Sequence, residues 1–367
     1  MVAKKSAGAS TLQTEVCDLE GILKAITPAA DEALRAAVQQ RLDSLTKPRG
    51  SLGRLERVVI DYSLARGTAD WTLPRKSLFV FCGDHGIVEE GVSAYPQDVT
   101  YQMVENFING GAAINVLCRQ NDIDPVIVDM GVNHPFDPGR GIVNRKVAPG
   151  TKSFLREPAM TREQAVESIE AGIALARAAA RLHYGLLAIG EMGIGNTTSA
   201  SAITAVLANR PADQVVGPGA GLVADQVRKK AEILTKALEA RGVSSDDPVD
   251  VLAAVGGFEI GGMCGFLLGA AAARVPVAVD GFIATAAALL AVRLSLAVQD
   301  YLFLSHRSAE PGHRVALELL DREPLLALEM RLGEGTGAAM ALGVIESALR
   351  LYREMATFES AAVSDKT

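Results

Sequence analysis

The feature that most constrains the fold is a recurrence. Six short apolar runs lie along the middle of the chain: SLFVFCGDHG (77–86), PVIVDMGV (125–132), GLLAIGEMGIG (185–195), VDVLAAVGGFE (249–259), RVPVAVDGF (274–282) and YLFLSHRS (301–308). Segments with helical patterning separate them. MTREQAVESIEAGIALARAAARLH (160–183) has Thr161 and Gln164 at capping-box spacing, then Val166, Ile169, Ile173, Ala176 and Ala180 as a 3.6-period stripe. PQDVTYQMVENFING (96–110) has Pro96 near its first turn and Gly110-Gly111 at its end. Strands apolar on both faces, alternating with helices, are the mark of a parallel sheet covered on both sides. The expected fold is α/β: an open, mostly parallel, Rossmann-like sheet with flanking helices.

The six runs place the sheet domain at 71–310. Residues 15–70 and 311–358 read mostly helical and are expected to meet as a smaller helical domain; 1–14 and 359–367 read as flexible polar tails. The longest greasy stretch, GGMCGFLLGAAAA (261–273), is shorter than the roughly 20 residues a spanning helix needs and reads as core. With 36 Lys plus Arg against 43 Asp plus Glu, the net charge is -7, which argues against nucleic acid or an anionic membrane as partner. Cys17, Cys82, Cys118 and Cys264 form no CxxC pair, so neither a zinc ribbon nor a dithiol site is signalled. No apolar run follows Lys4 and Lys5, so no secretory signal is expected and the cytoplasm is the simplest setting.

Ligands of open α/β sheets bind beyond the carboxyl ends of the strands. Five of the six runs end there in polar, glycine-flanked clusters: Asp84-His85, Glu191 with Asn196-Thr197-Thr198, Glu259, Asp280-Gly281, and Ser305 to Ser308. The sharpest is GEMGIGNTTSASAITAVLA (190–208), where Gly193, Gly195, Asn196 and Thr197 stand between a strand and a small-residue helix. Bare N–H groups at a helix start favour an anion such as phosphate, although Asn196 or Thr197 as a simple cap would leave the same pattern. A second glycine loop, Gly217 to Gly221 and including Gly219, precedes Arg228, Lys229 and Lys230; a solvated basic face is the plainer reading of that run.

Glu334, hemmed by Gly333, Gly335 and Gly337, can approach a ligand closely, and partial burial would raise its pKa towards a general-base value. A helix-terminal carboxylate would look similar. Glu191 and Glu259 carry the same ambiguity. The five histidines make no HxH or HExxH spacing, so no metal is expected. Ser305, His306 and Asp280 lack the GxSxG elbow of a hydrolase. Met103, Phe107 and Ile108 read as core, whereas Ser93, Tyr95 and Gln102 are better placed to line a pocket.

Taken together, LTKPRGSLGRLE (45–56), GDHGIVEEGVSAYPQDVTYQMV (83–104), NGGAAINVL (109–117), GEMGIGNTTSASA (190–202), VGGFEIGGMCG (255–265), VDGFIA (279–284), SHRSAEPGH (305–313) and MRLGEGTGAA (330–339) resemble the nicotinate-nucleotide–dimethylbenzimidazole phosphoribosyltransferase family. The resemblance implies transfer of phosphoribose from nicotinate mononucleotide to dimethylbenzimidazole, with no cofactor, in a homodimer. It implies Glu334 as the base that deprotonates the acceptor and Glu191 at the reaction centre. Lys230 matches the family's lysine best, Lys229 next. Phosphate and ribose contacts are expected from Gly193, Gly195, Asn196, Thr197, Gly219, Gly221, Asp280, Gly281 and Ser308. The base pocket is expected from Ser93, Tyr95, Gln102 and 330–332, including Leu332. One departure is Ala220, where the family often has Thr. The chemistry agrees: a pyridinium departs neutral, so its leaving needs neither an acid nor a metal. Transfer to another base (adenine, another benzimidazole, a phenol) and a catalytically silent nucleotide-binding module remain the alternatives.

Overall fold

Six parallel strands build one sheet: β1 (Arg75–Gly83), β2 (Ile123–Gly131), β3 (Ile142–Asn144), β4 (Tyr184–Met192), β5 (Val277–Val279) and β6 (Leu302–Leu304), in the order β3-β2-β1-β4-β5-β6. The computed structural model describes residues 18–364. Val80 in the middle of β1 lies between Ile127 of β2 and Gly190 of β4. The chain adds strands outward to β3, then returns to the other side of β1 with β4. That reversal falls between β1 and β4, and sheets of this kind bind ligands near such a point, at the carboxyl ends of their strands.

Strand side chains alternate between faces, and the two faces carry different helices. Phe79 and Phe81 pack on Phe266 of the helix Phe258–Ala272, with ring centroids 4.6 and 5.6 Å apart. Leu78, on the alternate side, meets Gly335 at the start of the helix Thr336–Glu354, which also packs on β4 and β5. The helix Arg162–Arg181 crosses Phe258–Ala272 at backbone contact: a Cβ at Gly265 would stand 1.8 Å from the Ile169 carbonyl oxygen. Only glycine permits that approach, which explains why the long greasy stretch is so poor in large side chains. The helix is buried throughout 258–271. The capping box is present as its spacing requires, with Thr161 Oγ1 accepting the Gln164 N–H.

One expected strand is a helix. VDVLAAV falls in Pro248–Val255, because Asp247 accepts the N–H groups of Val249 and Asp250 and Pro248 takes the first helical position. Glu259 therefore sits in the first turn of the helix Phe258–Ala272, not at a strand end. The three-residue edge strand β3 had no counterpart in the pattern. The helix Phe282–Leu294 is buried from Phe282 to Ala291 and is core. Among the described residues no helix is long and apolar enough to cross a membrane.

The terminal segments meet. The helix Arg54–Arg66 packs on Thr336–Glu354, Leu45 bridges Thr357, and Trp71 lies between Tyr62 and Tyr352. Of the two expected tails, 1–14 lies outside the described residues; 359–364 forms an exposed turn in which Thr357 Oγ1 accepts the Ser360 N–H.

Candidate active site

A cavity of about 410 Å³ opens at the carboxyl ends of β4, β5 and β6. Its floor begins with Glu191, near the end of β4. Gly195 takes a left-handed φ of 96°, which turns the strand directly into the helix Asn196–Ala208. Asn196 does not cap that helix; its side-chain amide donates to Glu191 Oε2. Burial first, then the charges of Asp280, Glu259 and Glu334, push the Glu191 carboxyl up to about 8, with the Asn196 bond opposing.

Glu334 reaches the same cavity from the segment before Thr336–Glu354, at a left-handed φ of 62°. A residue other than glycine in that region is strained, and such strain clusters at functional sites. Its N–H donates to the Glu191 carbonyl at 3.1 Å, so the two glutamates are joined through the backbone. Glu334 Oε2 accepts the Ile114 N–H at 3.1 Å, at the start of the helix Ala113–Gln120. Burial raises its pKa, Asp280 adds to the effect and the Ile114 N–H opposes it. The carboxylate thus does meet a helix N-terminus, but of a different helix.

The other end of the cavity is cationic. Lys230, 1 % exposed, donates from Nζ to Thr197 Oγ1 at 2.7 Å, while Lys229 is exposed. Burial lowers the Lys230 ammonium to about 8, and the charge of Glu310 resists. Gly193, Gly195, Gly219, Ala220, Gly281 and Ser308 line the cavity. Asp280 lines it as well, but both its oxygens are engaged: Oδ2 accepts the Gly335 N–H at 3.1 Å and Oδ1 the Ala338 N–H at 3.0 Å. Asp280 therefore anchors the start of Thr336–Glu354. Ser93, Tyr95 and Leu332 form an open mouth, Tyr95 being 49 % and Leu332 59 % exposed.

Three expected residues stand outside the wall. Gln102 is exposed, because in the helix Val99–Ile108 it is Val99 and Met103, four residues apart, that face the cavity. Gly221 and Met330 do not line it either. Met103, which reads as core, is a lining residue. Asp84 and His85 lie behind the first glycine loop, where His85 Nε2 is 2.7 Å from Glu259 Oε1 and Nδ1 is 3.0 Å from Ser199 Oγ, all three buried. Arg331, within the expected 330–332 segment, and His306, within the Ser305-to-Ser308 cluster, line the cavity, as does Glu310, which carried no signal of its own. Among the described residues no group of three or more His, Cys, Asp or Glu could hold a metal ion.

Against known proteins, residues 27–363 match the profile of a family described as "Phosphoribosyltransferase". A protein of Chlorobaculum tepidum named nicotinate-nucleotide–dimethylbenzimidazole phosphoribosyltransferase is 49% identical over 345 residues, 94% of this chain and 98% of that one. One of Geobacter metallireducens with the same name is 49% identical over 333 residues, 91% and 94% of the two chains. A crystal structure of the enzyme of that name from Thermus thermophilus superposes with a TM-score of 0.86 at 43% identity, covering 92% of this chain and 100% of that one.

Proposed function

The chain belongs to the nicotinate-nucleotide–dimethylbenzimidazole phosphoribosyltransferase family, and from that membership we infer how its cavity works. The protein transfers the phosphoribosyl group of nicotinate mononucleotide to 5,6-dimethylbenzimidazole, giving α-ribazole 5′-phosphate and nicotinate, in the branch of cobalamin biosynthesis that makes the lower-ligand nucleotide. The observation that carries the assignment of roles is that Glu191 and Glu334, buried with raised pKa values and joined through the backbone, share one cavity with a buried lysine that has, among the described residues, only Glu310 as its charged neighbour.

In this reading the phosphate lies between Lys230 and the start of the helix Asn196–Ala208, where an ammonium and the positive end of the helix dipole favour an anion. The ribose then spans towards Glu191 and Glu334. One ring nitrogen of dimethylbenzimidazole attacks C1′ while the Glu334 carboxylate takes the proton from the other. The C1′–N bond to the pyridinium breaks, its electron pair stays on the ring nitrogen, and nicotinate leaves neutral at that atom. Glu334 ends protonated and returns the proton to solvent. Glu191, largely protonated in the free cavity at neutral pH, gives up its proton as the cationic nucleotide enters; its carboxylate then faces the positive charge that develops at C1′. Asn196 holds that carboxylate in place. Tyr95, Met103 and Leu332 offer the apolar mouth where an aromatic acceptor stacks. The proposed assembly is a homodimer, on the family resemblance, and the proposed setting the cytoplasm, on the few scattered cysteines.

The test is direct. Pure protein with nicotinate mononucleotide and dimethylbenzimidazole, without added metal, is expected to release nicotinate and form the α-anomer of ribazole phosphate. Folded protein that releases none overturns the assignment. Competition with adenine and phenols reads out acceptor preference, and a phenol outcompeting dimethylbenzimidazole would replace the acceptor named here.

A further inference from the structure

Three segments of the chain meet at Gly219. Its N–H donates to Glu310 Oε1 at 3.0 Å, its carbonyl accepts from Arg331 Nη1 at 2.9 Å, and the Ala309 N–H donates to the Met330 carbonyl at 3.1 Å. Both main-chain groups of Gly219 are thereby occupied by side chains from distant parts of the sequence. Gly219 itself has a left-handed φ of 54°, and a Cβ there would come within 3.0 Å of Thr197 Oγ1 and 3.6 Å of Lys230 Nζ. The joint therefore rests on the cationic end of the cavity. It is also tight. Glu310 is buried, its Oε2 has no hydrogen-bond partner among the described residues, and a Cβ at Gly217 would stand 2.1 Å from that oxygen.

From the joint the chain runs to Glu334 through residues 327–333, which form no helix or strand. Such a segment holds its place only through its anchors. Arg331 is a side-chain anchor three residues before Glu334, and the Met330 carbonyl, bonded to Ala309, is a main-chain one beside it. The Gly219 N–H cannot serve a phosphate while Glu310 holds it, so at this residue the second glycine loop supports rather than binds.

We propose that Glu310 and Arg331 are positioning residues that couple the anion end of the cavity to Glu334: an anion on Thr197 and Lys230 fixes Gly219, and Gly219 fixes the segment that carries the base. The inference rests on the reading above that the substrate phosphate lies at Lys230. Coupling between two sites is reciprocal, so an anion at one end must tighten the acceptor base at the other, and the base must tighten the anion. The nucleotide then prepares its own cavity for the acceptor.

The experiment is a calorimetric titration of dimethylbenzimidazole with and without saturating inorganic phosphate, a pair that cannot react. Phosphate is expected to tighten the base by at least about fivefold in the unaltered protein, and Arg331→Ala and Glu310→Ala to cut that effect below about twofold without lowering phosphate affinity itself by more than about threefold. Glu310→Gln keeps an oxygen for the Gly219 N–H and is expected to retain the coupling, which separates loss of this bond from loss of fold. Absence of coupling in the unaltered protein overturns the inference, as does coupling that survives both alanine variants. A large fall in phosphate affinity with coupling intact overturns it too, since that is the mark of direct contact. Protein that turns over its substrates yet shows no coupling refutes this inference alone; protein that turns over nothing refutes the reading it rests on.

Discussion

Buried charge occurs in two forms in this molecule, and the contrast separates structure from chemistry. At two places away from the cavity it is paired. Lys47 Nζ lies 2.8 Å from Glu56 Oε1, both side chains 7% exposed, in the TKPRGSLGRLE segment. Lys76 at the start of β1 bonds Glu346 and the Asn121 carbonyl. Burial pushes Glu346 up, but the hydrogen bonds from Lys76 and Arg350 bring its carboxyl below the ordinary carboxylate range. Around Glu191, charges of one sign gather instead. Burial raises Glu191, Glu334 and Asp280, and the charge of Asp280 adds to the rise of both glutamates. Among the described residues no lysine or arginine forms an ion pair with any of the three. An ion pair that satisfies itself holds loops together. Carboxylates crowded without such a partner lower stability and leave proton affinity available for a reaction.

The sharpest way to break this contrast is to neutralise one member of each group. Glu334→Gln should cut the transfer rate by about 10²–10⁴-fold, the scale of a positioned general base, while the nucleotide still binds and thermal stability holds or rises. If the rate falls less than tenfold with the Ile114 contact intact, Glu334 is not the base. Lys47→Met should do the reverse. It strands Glu56 in the interior, at a cost of about 3–5 kcal/mol read as a lower denaturation midpoint, with the rate per folded molecule unchanged. A rate loss in Lys47→Met at full folding would show that the two groups are not separable.

Much of this was legible beforehand, for physical reasons. Long apolar strands announce a parallel sheet, and five of the six runs are strands. The exception, VDVLAAV, looks like a strand because valine is β-branched; the Asp247-Pro248 helix start decides against it. Glu191 and Glu334 stood out because glycines strip away every local partner a glutamate might have. Gln102 misled because lying near a pocket says nothing of facing it, and a helix turns neighbouring residues by about 100°. Glu310 was not legible, and Arg331 was legible only as part of the 330–332 segment, not as a partner of Gly219. They act on the main chain of Gly219, and a main-chain partner leaves no mark on residue type.

A subtler test uses pH. Glu191 titrates near 8 in the free cavity, Glu334 above its ordinary value, and Lys230 near 8 from above. The proposed cycle needs both glutamates ionised and the lysine charged. As pH rises, kcat/KM should climb while the carboxyls lose protons, then fall as Lys230 loses its own, giving a narrow bell centred near pH 8. Lys230→Arg keeps its charge at all working pH and should abolish the alkaline limb. An unaltered alkaline limb in that variant would assign it to another group.

The smallest effect expected concerns a third kind of buried group, one kept neutral. His313 Nδ1 accepts the Ser308 N–H at 2.8 Å, so Nε2 carries the proton and faces Thr285 Oγ1 at 3.0 Å, whose hydroxyl donates to the Gly281 carbonyl at 2.8 Å. The ring thus supports Ser308 and Gly281, both in the cavity wall. Burial, with the nearby His306 adding to it, lowers the His313 pKa to about 3. The unfolded chain takes up a proton near pH 6.5 and the folded one does not until about pH 3, so between those values the unfolded state binds more protons and stability must fall as pH falls. His313→Asn removes the titrating group whatever it costs in packing. Its denaturation midpoint should therefore change less steeply between about pH 6.5 and 4 than that of the unaltered protein, and equal slopes would mean that His313 is already protonated in the fold.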